Sequence, residues 1–95
     1  MTLKAADVES KLIHKFKFTK DNSDHRKFTL EVPGQALIFT IISHSHRDIS
    51  APILSSICKQ LRVRKHFFLE MIQCTKSRED YLWQITNDPY PPFDG

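Results

Sequence analysis

Histidines lie at two places where a short chain could use them for acid–base chemistry. His25 follows a turn-forming run at residues 21–24, and His44 and His46 are separated by a single serine. An imidazole exchanges protons near neutral pH, because the ordinary pKa of this side chain is about 6.5, so it suits a general acid or base. A His-x-His pair also occurs at metal sites, but no Cys/His cluster here has zinc-ligand spacing. We therefore expect no metal and no cofactor.

Basic side chains near these histidines are candidate contacts for phosphate groups. They are Arg26, Lys27 and Arg47 beside the histidines, Lys15, Lys17 and Lys20 in a row before His25, and Arg62, Arg64 and Lys65 in the densest cluster. The net charge of +3 and the pI of about 9.0 permit an anionic partner such as nucleic acid without requiring one. The lysine row is equally typical of a solvated strand edge, and a carboxylate such as Glu70 could balance the cluster.

Length and composition limit the classes of protein that are possible. The 95 residues, 40% hydrophobic and 26% charged, suit one globular domain, which is too small for a large cofactor enzyme. No apolar run reaches the ~18 residues of a membrane span, and the first residues lack the apolar stretch of a signal peptide. The two cysteines, Cys58 and Cys74, suggest reduced thiols. We expect a cytoplasmic protein that does not contact a membrane.

The elements that must position these residues follow from hydrophobic periodicity. A helix is predicted over residues 3–14 with Thr2 as its cap. Alternating or β-branched runs at residues 15–20, 27–32 and 37–43 predict three strands joined by short loops, as in an antiparallel meander.

Helical periodicity returns in the second half of the chain. Helices are predicted over residues 50–61, 67–72 and 77–85, and a proline-rich tail covers residues 87–95. The order predicts an α+β fold in which a helix precedes a three-stranded antiparallel sheet and later helices pack on one sheet face.

The alternation of residues 27–32 predicts which side chains face outward. Phe28, Leu30 and Val32 face the helices, while Lys27, Thr29 and Glu31 face outward. The same parity places His25 on the outer face. If Phe39 and Ile41 face the helices, then Thr40, Ile42 and His44 share the outer face with His25.

Several short motifs occur in an order that resembles one known family. They are Phe16, Asn22-Ser23-Asp24-His25, Ile41-Ile42-Ser43-His44, Asp48-Ile49-Ser50, Lys59-Gln60-Leu61 and Arg64-Lys65-His66-Phe67-Phe68. This order of motifs and elements resembles the HicA family of small mRNA-interferase toxins, whose fold is similar to a double-stranded-RNA-binding domain. The resemblance implies a HicA-like core over residues 1–73, with a helix and tail over residues 74–95 that pack on or extend from it.

The resemblance also implies a function. A HicA-like toxin is a metal-independent ribonuclease that uses a single histidine, which corresponds to His25 here. His44 would be its partner acid or a phosphate contact, the cations named above would bind RNA, and a small antitoxin-like protein would cover the His25 face.

Two other functions fit the same residues. One is a nucleic-acid-binding domain without catalysis, which is favoured because Ser23 replaces the glycine of the HicA motif and Asp24 its serine. The other is a protein-interaction domain in which the C-terminal helix and tail bind the partner. RNA cleavage therefore stays one of three expectations.

Overall fold

A three-stranded antiparallel sheet is the centre of the fold. Its strands are β2 (Thr19–Asp21), β3 (Arg26–Leu30) and β4 (Ile38–Ile42), and β3 pairs with both neighbours. The computed structural model describes residues 3–21, 25–43, 47–73 and 75–90. Within these residues the fold is α+β, as the sequence predicts.

Helices precede and follow the sheet. They are α1 (Ala5–Ser10), which continues as a π-helical turn (Lys11–Lys15), and then α2 (Ala51–Leu61), α3 (Lys65–Ile72) and α4 (Arg78–Asn87). The three C-terminal helices confirm the periodicity argument. A capping box begins α4, since the Asp80 N–H donates to the Ser77 hydroxyl and the Ser77 N–H donates to the Asp80 carboxylate. The Ser77 hydroxyl also donates to the Asp80 carboxylate, and the two hydrogen bonds from Ser77 lower the pKa of Asp80.

The N-terminal segment differs from its prediction. Leu3–Lys4 forms a short strand, β1, that pairs with β5 (Asp48–Ile49). The Ala5 N–H also donates to the Arg47 carbonyl at 2.8 Å. Leu3 is buried by this pairing. The prediction of a helix from residue 3 was wrong because the pairing partner lies more than forty residues away in the chain, and Thr2 lies outside the described residues.

The first strand is also shorter than predicted. Lys15 ends the π-helical turn and Lys17 has a φ of 65°, so regular pairing begins only at Thr19. The alternation of residues 15–20 instead reflects the burial of two aromatic side chains, since Phe16 and Phe18 both lie in the core. The prediction that Lys15, Lys17 and Lys20 form a row on one strand was therefore wrong.

The inner face of the sheet carries the core. Phe28 and Leu30 are buried on β3, as predicted, and Ile38, Thr40 and Ile42 are buried on β4. Phe39 and Ile41 are instead exposed. The expectation that Phe39 and Ile41 face the helices was wrong, because every residue of β4 except Thr40 is apolar and the pattern does not distinguish its two faces.

Tyr81 joins α4 to this core. Its ring is fully buried and meets the edge of Phe16, with centroids 5.8 Å apart and planes at 72°. Its hydroxyl donates to the Leu61 carbonyl at 3.0 Å. Burial raises the pKa of Tyr81, and the charge of Arg62 opposes that rise. Through Tyr81, α4 packs against the rest of the domain.

Candidate functional site

His25 lies immediately before β3 and is exposed. It forms part of the wall of a cleft of about 360 Å³ between β4 and the first turns of α2. The other lining residues are Ile41, Ile42, Ser43, Pro52, Ile53 and Ser56. The cleft therefore offers an imidazole and two hydroxyl groups beside apolar walls.

The outer face of the sheet adjoins this cleft through Ile41. Phe39 and Ile41 are each 39% exposed, and the Lys27 ammonium lies 5.2 Å from the centre of the Phe39 ring. A cation over an aromatic ring is a favourable contact, and an exposed aromatic ring is a surface on which a nucleic-acid base can stack. Sequence reasoning missed Phe39 as a surface residue, since nothing in the run of apolar residues identified the outward positions.

Arg26 takes part in an ion-pair cluster with Glu9 and Lys20. Arg26 Nη1 lies 3.2 Å from Glu9 Oε2, and its Nη2 donates to the Ser43 carbonyl at 2.8 Å. Lys20 Nζ contacts the other oxygen of Glu9. Burial of Glu9 would raise its pKa, but hydrogen bonds and charges from Lys20 and Arg26 outweigh burial and lower the pKa. Both cations therefore support the fold beside the His25 cleft.

The other predicted phosphate contacts of the first half lie apart. The Lys15 ammonium lies 5.5 Å from the centre of the Phe16 ring, and Lys17 is exposed on the segment that leads into β2. Arg47 is exposed and precedes β5. His44 lies outside the described residues.

The predicted cluster at residues 62–65 is divided between two places. Arg62 ends α2 and its guanidinium donates to Gln35 Oε1 at 3.2 Å, toward the β3–β4 loop. Arg64 and Lys65 instead line a cleft at the junction of α2 and α3. Glu70, the carboxylate expected to balance the cluster, pairs with Lys76 at 3.8 Å.

The described residues contain neither a metal-ligand cluster nor a membrane-spanning helix. Among the described residues, no group of three His, Cys, Asp or Glu side chains is placed to hold a metal ion. Within the same part of the chain, no helix has the length and apolar character needed to cross a membrane.

Comparisons with known proteins return nothing for this chain. No protein-family model, no curated protein and no solved structure matches it. The resemblance to HicA toxins therefore rests on the residues of the chain itself.

Proposed function

We propose that the protein is a HicA-like ribonuclease that binds RNA on the outer face of its sheet and cleaves it with His25. The observation that carries this proposal is the position of His25, exposed in a cleft that adjoins an open sheet face with a cation and an aromatic ring. Lys27 attracts the backbone and Phe39 accepts a base by stacking.

The proposed reaction needs no metal. The ribose 2′-oxygen forms a bond to phosphorus and the bond from phosphorus to the 5′-oxygen breaks, which leaves a cyclic phosphate. One proton leaves the 2′-hydroxyl and one reaches the 5′-oxygen, and His25 transfers one of these two protons. Lys27, on the sheet face that adjoins the cleft, stabilises the charge that develops on the phosphate.

RNA binding without cleavage is the second candidate function. Beyond His25, the described residues of the cleft provide the hydroxyl groups of Ser43 and Ser56 but no other titratable side chain. A site with one imidazole and two hydroxyl groups is sufficient to bind a phosphate. With this function the outer face of the sheet binds RNA without cleaving it. An antitoxin-like protein could instead cover the apolar residues of the same face.

Cleavage assays on two variants test the proposal. His25→Gln removes the imidazole of the cleft, and His14→Gln removes an exposed histidine of the π-helical turn as a matched control. With EDTA present, we expect the wild type and His14→Gln to cleave a mixed RNA to fragments that end in a cyclic phosphate. We expect His25→Gln to be slower by about 10²–10⁴-fold.

Two results would decide against catalysis by His25. Equal cleavage by His25→Gln and the wild type would exclude the assigned role. Absence of cleavage by a folded wild type that binds RNA would favour the binding-only function.

A further inference from the structure

A basic cleft lies at the junction of α2 and α3, away from His25. Its volume is about 310 Å³, and its lining residues are Ser55, Cys58, Lys59, Arg64, Lys65 and Tyr90. Lys59 and Lys65 are exposed, and the side chain of Arg64 is 42% exposed. None of these described lining residues is acidic, so the three cations repel one another unless an anion approaches.

The chain's own C-terminal segment supplies such an anion. Arg64 Nη1 lies 3.2 Å from Asp88 Oδ2, and the Arg64 guanidinium lies 5.2 Å from the centre of the Tyr90 ring. The Tyr90 N–H donates to the Arg62 carbonyl at 2.9 Å, which fixes the segment beside the cleft. Arg64 thus meets a carboxylate and an aromatic ring, as it would meet the phosphate and base of a nucleotide.

The exposed side of α2 connects this cleft to the His25 cleft. Pro52 and Ser56 line the His25 cleft, and Ser55 and Lys59 line the basic one. Pro52, Ser56 and Lys59 follow the spacing of one helix face. These three residues and Ser55 are all exposed. At 1.5 Å per residue, the distance along the axis from Pro52 to Lys59 is about 10 Å, which a strand of a few nucleotides can span.

We infer that the basic cleft binds backbone phosphates of the RNA strand that reaches His25, and that Asp88 and Tyr90 compete with the RNA for Arg64. This inference rests on the proposed RNA function but not on catalysis. Lys59 and Lys65 attract the phosphates, and the segment at residues 88–90 moves aside when RNA binds. The segment weakens RNA binding because its contacts with Arg64 must break first.

Binding measurements with a short single-stranded 2′-O-methyl RNA test the inference, because this RNA has no free 2′-hydroxyl to react. The double variant Lys59→Ala/Lys65→Ala removes two cations of the cleft, and Lys4→Ala/Lys76→Ala removes two surface lysines elsewhere as a charge-matched control. We expect the cleft variant to bind at least about tenfold more weakly than the control, with a salt slope lower by about 1.4.

The competing segment has its own test. Asp88→Asn removes the charge that faces Arg64 while keeping a side chain of similar size. We expect it to bind the RNA about 1.5-fold to fivefold more tightly than the wild type, since one exposed competing ion pair is lost. Asp7→Asn, at an exposed position in the first turn of α1, is the matched control.

Four results would overturn the inference. The first is equal RNA affinity of the cleft variant and its control, and the second is no gain in affinity from Asp88→Asn beyond that of Asp7→Asn. The third is no RNA binding by the wild type at low salt, and the fourth is lysine-dependent binding of polyglutamate in place of RNA. Cleavage that needs His25 but not Lys59 and Lys65 would leave the proposed function standing without this inference. RNA binding that needs Lys59 and Lys65 but occurs without cleavage would leave this inference standing without the proposed catalysis.

Discussion

The Glu9 cluster makes a sharp prediction about stability, because one carboxylate faces two cations inside the domain. The side chains of Glu9, Lys20 and Arg26 are only 19%, 26% and 13% exposed. Breaking a buried ion pair costs about 3–5 kcal/mol, and an exposed pair contributes about 0.2–1 kcal/mol. For this partly buried cluster we expect Glu9→Gln to lower the free energy of unfolding by about 1–3 kcal/mol at neutral pH.

The effect of Glu9→Gln must also depend on pH in one direction. Lys20 and Arg26 lower the pKa of Glu9 in the folded protein, while an unfolded glutamate titrates near pH ~4.3. The stabilisation is therefore fully present above that unfolded pKa and is lost as the pH falls through the lower folded pKa. The difference between the wild type and Glu9→Gln should shrink as the pH falls below about 4.3.

Urea unfolding followed by far-ultraviolet circular dichroism measures both effects. Trp83 is 62% exposed and is a poor fluorescent reporter of core unfolding. Glu31→Gln, at an exposed position after β3, is the matched control. A stability of Glu9→Gln equal to that of Glu31→Gln at neutral pH would refute the reasoning, as would a difference that grows on acidification.

Substitutions at three further residues test the core and the outer face. Tyr81→Phe loses the hydrogen bond to the Leu61 carbonyl and should cost about 1 kcal/mol of unfolding free energy in urea titrations, whereas Tyr81→Ala should cost about 3–5 kcal/mol. Thr40→Val removes the buried hydroxyl that donates to Gln60 Oε1 at 2.5 Å, and should cost about 1–2 kcal/mol by the same measurement. Phe39→Ser should scarcely change stability but weaken binding of single-stranded RNA by about 1–3 kcal/mol in anisotropy titrations. Unaltered RNA affinity of that variant would remove Phe39 from the site.

Local signals were sufficient where an element depends on its own residues. The capping residue Ser77 and the apolar spacing around Tyr81 predicted α4, and the alternation around Phe28 predicted the buried and outward faces of β3. These predictions needed no knowledge of distant contacts.

Contacts between distant parts of the chain could not be predicted in this way. The pairing of Leu3 with Ile49 shortens the predicted first helix, and the choice of Phe39 as an outward residue depends on how β4 packs against α2. The contacts of Arg64 with Asp88 and Tyr90 likewise depend on where the C-terminal segment lies. A sequence pattern shows which residues are able to make such contacts, but it does not show which of them meet in the folded chain.

The central claim is that RNA binds to the outer sheet face beside His25, and an NMR titration tests it most directly. ¹H–¹⁵N spectra of the full chain would be recorded as the 2′-O-methyl RNA is added at low salt. The account predicts that shifts concentrate at His25, Lys27 and Ile41 and continue along α2 to Lys59. Shifts confined to the exposed side of α4 around Trp83, or no shifts at all, would contradict it.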